Sequence, residues 1–180
     1  MDRLQRKNIG EIEGLNQRGG RTLSFVDLIR AGTMTPEMVA HCWTAIAHGA
    51  SFLTAASPGG AGKSTVLADL LGLLPPGHEI VTITDPRVVD DAATPCCLAH
   101  EIGAGHWYGY IWGQDVQRFC ALMGHGTRTA SCIHADSLEE MQSLLLAPPL
   151  SVPEDHFHKL DLILFIHVNR RRERRVAALY

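Results

Sequence analysis

The sequence predicts an α/β fold: a mostly parallel β-sheet with helices on both faces, finished by a C-terminal β-hairpin. Three observations carry this expectation. Strand-like apolar segments alternate with helix-like segments, the pattern that parallel strands with crossover helices produce. A glycine-rich loop containing a lysine joins one such strand to one such helix. The chain has 180 residues, 46% hydrophobic and 19% charged, which suits one globular domain with an ordinary core and excludes a disordered polymer.

Taken in order, residues 1–20 are polar, carry Gly10, Gly14, Gly19 and Gly20, and read as a linker or arm before a core domain of residues 21–180. Leu23 to Ala31 is a short amphipathic stretch. Thr35-Pro36-Glu37 opens a helix with a capping hydroxyl, a proline in the first turn and an acid near the positive end; Gly49 ends it. Ser51 to Ala56 is a buried strand, and Val66 to Leu71 belongs to the helix after the loop. Glu79 to Thr84 is β-branched and strand-like. A loop leads to Cys97-Leu98-Ala99-His100, and Trp107 to Trp112 is an aromatic strand. Asp115 to Met123 is helical, and Thr129 to His134 is a strand. Ser137 and Glu140 form a capping box for a helix to about Leu146. Leu160 to Val168 and Arg174 to Leu179 pair as the closing hairpin.

The loop is Ser57-Pro58-Gly59-Gly60-Ala61-Gly62-Lys63-Ser64-Thr65, a phosphate-binding P-loop in its proper strand–loop–helix setting. Glycines let successive backbone N–H groups converge on an anion. The helix N-terminus adds the positive end of its dipole. Lys63 would reach the terminal phosphates of ATP, and the Ser64 hydroxyl would ligate Mg²⁺. Ser57 replaces the motif's first glycine.

The formal net charge of -3 gives no electrostatic argument for nucleic acid, and the basic residues form no long stripe. The apolar runs are too short to cross a bilayer, and the N-terminus is not a secretory signal, so a cytoplasmic location is expected. Cys42, Cys96, Cys97, Cys120 and Cys132 show neither a disulfide framework nor a zinc pattern and read as reduced, mostly buried thiols.

Beyond the P-loop, Ile80 to Pro86, Gly124-His125 with Ser131 to Ser137, and Asp161 to Leu164 with Arg174-Arg175-Val176 resemble, in order and spacing, the type II/type IV secretion ATPase family. That family comprises the motors of pilus assembly and retraction, secretion and conjugation. The resemblance covers about Arg21 to the C-terminus and implies a P-loop NTPase core of RecA-like type. It also implies ATP and Mg²⁺ as ligands and a homo-oligomeric ring such as a hexamer, working with membrane secretion or pilus machinery. By resemblance, Asp85 belongs to the acidic box and helps hold Mg²⁺ or orient water. His125 and His134 belong to the histidine box near the γ-phosphate. Arg21 stands where the family can place a phosphate-sensing arginine.

The departures are specific. The family's Walker B segment is an apolar run followed by Gly-Glu, whose glutamate activates water. Tyr110-Ile111-Trp112-Gly113 fits that frame, but Gln114 follows, and a neutral amide cannot accept a proton. Asp115 is adjacent, and Glu101, in the loop after the acidic box, is another replacement for the missing base. Thr84 stands at the acidic box's second carboxylate position, and the family's arginine-rich stretch before Walker B is missing. The expected function is ATP·Mg²⁺ binding with slow hydrolysis, driving or regulating an assembly. Two alternatives stay open: a nucleotide-binding regulatory subunit without turnover, and a small-molecule P-loop kinase with Asp85 as the acid. The run Arg170-Arg171-Arg172 with Arg174-Arg175 reads as either a subunit interface or a solvated hairpin turn.

Overall fold

The computed structural model describes residues 1–16, 22–86, 95–123 and 127–180. Along them run α1 (Arg3–Gly14), α2 (Phe25–Arg30), α3 (Pro36–Ala47), β1 (Phe52–Ala55), α4 (Lys63–Leu71), β2 (Ile80–Thr82) and β3 (Cys96–Ile102). Then follow β4 (Tyr110–Ile111), α5 (Gln114–Leu122), β5 (Arg128–Ile133), α6 (Leu138–Leu146), α7 (Glu154–Phe157), β6 (Leu162–Val168) and β7 (Arg174–Leu179). The sheet order is β2-β3-β5-β1-β6-β7, with β4 paired to β3. All pairings are parallel except β6 with β7, so the C-terminal hairpin closes an otherwise parallel sheet. This is the α/β architecture that the alternating sequence pattern predicts.

The strands are buried on both faces, and alternate residues feed two apolar clusters. Phe52, Leu98, Leu162 and Leu164 join Leu28, Ile46, Val66, Leu67 and Leu70 on one side. Leu53, Ile133, Ile163 and Phe165 join Val116, Phe119, Met141 and Leu145 on the other. The five cysteines are buried in these layers. Burial pushes their thiols up, Cys42 to about 11 and Cys132 to about 12, which keeps them protonated and inert. Among the described residues, no helix is long and apolar enough to cross a membrane.

Four local expectations are corrected. The polar N-terminal stretch is not merely an arm: Asp2 caps a twelve-residue helix with a reciprocal bond to Gln5. Helix α1 then docks on β2 through polar groups. Asn8 donates its side-chain N–H to the His78 carbonyl (2.8 Å) and accepts the Ile80 N–H (2.9 Å), standing in for a neighbouring strand at the sheet edge. Lys7 pairs with Glu79, the Thr82 hydroxyl donates to Glu11, and Leu15 is buried in the core. Second, Glu101, read as lying in a loop, belongs with the unassigned Cys97 to His100 to β3, a central strand whose Cys96, Cys97, Leu98 and Ala99 are fully buried. Third, only Tyr110 and Ile111 of the aromatic stretch are strand, and they pair β3 beyond the end of β2. Fourth, Ser137 does cap α6, accepting from the Glu140 N–H, but the Glu140 carboxylate reaches one residue further back, to the Asp136 N–H (2.7 Å).

Candidate functional site

Parallel strands deliver their C-terminal ends to one edge of the sheet, where βα loops gather. Here β1 delivers the glycine-rich loop, β3 ends in Glu101 and Ile102, and β5 is followed by His134, Ala135 and Asp136. Strand order places β5 between β1 and β3, so these three ends are neighbours.

The loop turns at Gly60 (φ +77°) and Gly62 (φ +100°), the left-handed region that glycine enters without strain. Ser57 is not in that region, so the serine at the motif's first position costs no backbone strain. Its peptide is gripped instead: the Ser57 N–H donates to Asp136 Oδ1 (2.7 Å), and the Ser57 carbonyl lies 2.7 Å from His134 Nδ1. Helix α4 starts at Lys63 with Gly62 at its N-cap. The Thr54 hydroxyl donates to the Lys63 carbonyl (3.2 Å), tying the strand to the first helical residue. At the loop's outer side, Arg174 of β7 donates Nε and Nη2 to the Gly60 carbonyl at 3.2 and 3.1 Å.

Lys63 is only 6% exposed, so its ammonium must be compensated by partners. It donates to the Ala56 carbonyl (3.1 Å), lies 3.2 Å from His134 Nε2, and is 4.0 Å from Glu101 Oε2. Glu101 Oε1 is 3.1 Å from His134 Nε2. A carbonyl oxygen can only accept, so His134 Nδ1 carries the proton shared with Ser57. His134 thus lies between the loop backbone and the Glu101 carboxylate, with the lysine beside both, and when doubly protonated its ring donates to each. The Ser64 hydroxyl opens α4 next to the Cys132 thiol.

The structure therefore brings together Lys63, Ser64, His134 and Glu101 from the sequence-predicted set, around the loop residues Ser57 to Thr65. It does not bring Gln114 with them. Gln114 is the first residue of α5, its Oε1 3.5 Å from Arg118, and Asp115 pairs with Arg118 at 2.9 Å. Of Tyr110 to Gln114, the Walker B frame of the sequence reading, only two residues are strand, and that strand lies off the main path. An apolar run ended by a glutamate does stand on β3, as Cys96 to Ala99, then His100 and Glu101. His100 takes the place of the glycine, and Gly109 (φ +75°) makes room for it, since a Cβ there would lie 2.6 Å from His100 Cγ. Burial lowers the His100 pKa, opposed by the Glu11 carboxylate.

Asp85 follows β2 at the same end of the sheet, but β2 is three strand spacings, roughly 14 Å, from β1. Its pairing with Ser64 as a metal ligand is thus not assembled by strand order alone. Arg21 and His125 lie outside the described residues. Sequence reasoning gave Asp136 no role of its own within the histidine-box segment, and it read Arg174 as the start of the closing strand and part of a basic run, without a contact to the loop. The acid's spacing after the histidine and the arginine's place at the start of the last strand were the available signals, and neither is interpretable without the sheet order.

No protein-family model matches the chain. An uncharacterized protein of Methanocaldococcus jannaschii is 25% identical over 160 residues, covering 76% of this chain and 59% of its own length. The crystal structure of the VirB11 ATPase from the Brucella suis type IV secretion system, in complex with sulphate, superposes with a TM-score of 0.57 at 15% identity. That match covers 98% of this chain and 60% of the VirB11 chain. The chain is similar to a secretion-ATPase P-loop fold across almost its whole length, and it spans about three-fifths of each of these relatives.

Proposed function

We propose that this chain is an ATP-binding and ATP-hydrolysing P-loop module of the secretion-motor kind. The observation that carries the reading is the convergence of Lys63, His134 and Glu101 beside the glycine loop, on three neighbouring strands. The donor set suits a magnesium nucleotide. Loop amides, the Lys63 ammonium and the N-terminus of α4 offer donors to phosphate oxygens. The Ser64 hydroxyl would ligate the metal, which when bound would screen charge on the phosphates. The VirB11 relative was solved with sulphate, a tetrahedral anion like phosphate.

In this reading Glu101 is the base that accepts a proton from the attacking water. Its carboxylate is 17% exposed, enough to meet solvent, and the His134 ring fixes one of its oxygens. Lys63 counters charge on the terminal phosphate. His134 positions Glu101 and holds the Ser57 carbonyl at once, so nucleotide in the loop and the base are linked through one ring. A carboxylate beside Lys63 supports turnover over the regulatory reading, which Gln114 and Thr84 motivate.

The test is Mg·ATP binding and steady-state hydrolysis by the wild type and two variants. Lys63→Ala is expected to abolish both. Glu101→Gln is expected to keep binding while turnover falls roughly 10²- to 10⁴-fold. Turnover that survives Glu101→Gln would remove the proposed base; wild-type binding without hydrolysis would favour a regulatory subunit.

A further inference from the structure

Arg174 is the first residue of β7, and its place is set by pairing with Val168 and by the Val176 N–H bond to the Thr33 carbonyl (2.8 Å). Two of its N–H groups converge on a single acceptor, the Gly60 carbonyl, at 3.2 and 3.1 Å. Its Cδ lies 3.1 Å from where a Cβ on Gly62 would sit, so the side chain lies directly over the loop.

A trans peptide points its C=O and N–H to opposite sides. Holding the Gly60 carbonyl toward Arg174 therefore turns the Ala61 N–H the other way, where it donates to the Pro58 carbonyl (3.3 Å) and closes a turn inside the loop. Gly60 lacks the Cβ that would restrict this peptide by itself. One turn bond to Pro58 holds its N–H side, and a guanidinium fork fixed on a strand holds its carbonyl side with direction that a lysine lacks.

We propose that Arg174 is a positioning residue for the phosphate loop: it holds the Gly60 carbonyl outward, away from a bound phosphate, and so fixes the Gly60–Ala61 peptide and the turn it closes, coupling the C-terminal hairpin to the loop. This rests on the reading of residues 57–65 as the nucleotide-phosphate site.

The test has two arms on the full chain, with Arg174→Ala, Arg174→Lys and, as control, Arg175→Ala. In the first, the Ala61 and Gly62 amide resonances and their hydrogen exchange are followed without nucleotide. Both resonances should move and exchange roughly tenfold faster or more in Arg174→Ala, less so in Arg174→Lys, and stay put in Arg175→Ala. Unchanged Ala61 and Gly62 amides would overturn the proposal. In the second, affinity for a fluorescent Mg·ATP analogue and its Mg·ADP counterpart should fall by the same factor, roughly ten- to hundredfold, in Arg174→Ala. A loss confined to the triphosphate would mean direct contact with the terminal phosphate and would also overturn it. A wild type that binds neither nucleotide would sink the phosphate-site reading, while the amide arm would still decide whether Arg174 sets the peptide.

Discussion

Lys63 and Asp69 stand two turns apart on α4, both nearly buried, and they illustrate opposite fates for charge. Lys63 is compensated by a carbonyl, a histidine ring and a carboxylate. Asp69 is 7% exposed, its Oδ2 is without a hydrogen-bond partner among the described residues, and Asp27 of α2 adds like charge. Burial first, then Asp27, raises its pKa from 3.8 to about 7. The folded state therefore holds this proton more tightly than the unfolded chain. Its stabilising contribution is full below about pH 4 and is lost as pH rises toward 7. The gap corresponds to a penalty on the order of 4 kcal/mol for ionised Asp69. Asp69→Asn is expected to raise stability by a few kcal/mol at pH 8 and hardly at all at pH 4, measured by urea unfolding at both values. Equal effects at both pH values would show that the ionisation is not the cause. The same scale decides the base. Gln114→Glu is expected to leave turnover unchanged, because Gln114 faces Arg118 on α5. A clear gain in turnover would return the Walker B role to that segment.

Among the elements, α1 and β3 departed furthest from the sequence reading, for different physical reasons. Helix α1 has no buried apolar stripe; it is held by Asn8, Lys7 and Glu11 against the backbone and side chains of β2. Only Ile12 and the capping Leu15 reach the core, and a helix this polar on average gives a hydrophobic pattern little weight. Asn8→Ala is expected to cost about 1 kcal/mol and to speed amide exchange at Ile80, with little effect on β1 or β5. Unaltered exchange at Ile80 would mean the helix protects that edge without its asparagine. Strand β3 failed to register because Cys, Ala and His carry little β-propensity, although a central strand covered on both faces needs small apolar residues more than alternation. The aromatic stretch ending at Gly113 was the better-looking strand and took the Walker B frame with it. By contrast α3 and β7 were legible nearly to the residue, since Thr35 and Pro36 mark the helix start and the charged turn isolates the final strand.

For the whole molecule, the site sits at the C-terminal ends of neighbouring parallel strands, with Arg174 of the C-terminal hairpin against its loop. Arg170, Arg171 and Arg172 are exposed at that hairpin's turn. If chains assemble as a ring, a neighbour's arginine can complete the charge on the terminal phosphate. Turnover per chain should then rise with protein concentration, and Arg170→Ala with Arg171→Ala should flatten that rise. A specific activity independent of concentration, with a monomeric mass in solution, would count against the ring.

The sequence by itself determined the P-loop, its strand and helix, the closing hairpin and the α/β class, because these depend on local backbone chemistry and on residues near one another in the chain. Glycine conformation, capping hydroxyls and β-branched runs are local physics. Only the tertiary structure decided which acid faces Lys63, that Asp136 and Arg174 grip the loop from either side, and that the polar N-terminus is a docked helix. Those relations join residues 38 to 114 positions apart, from Lys63 with Glu101 to Gly60 with Arg174. Strand order alone brings such residues within reach, and no local pattern encodes strand order.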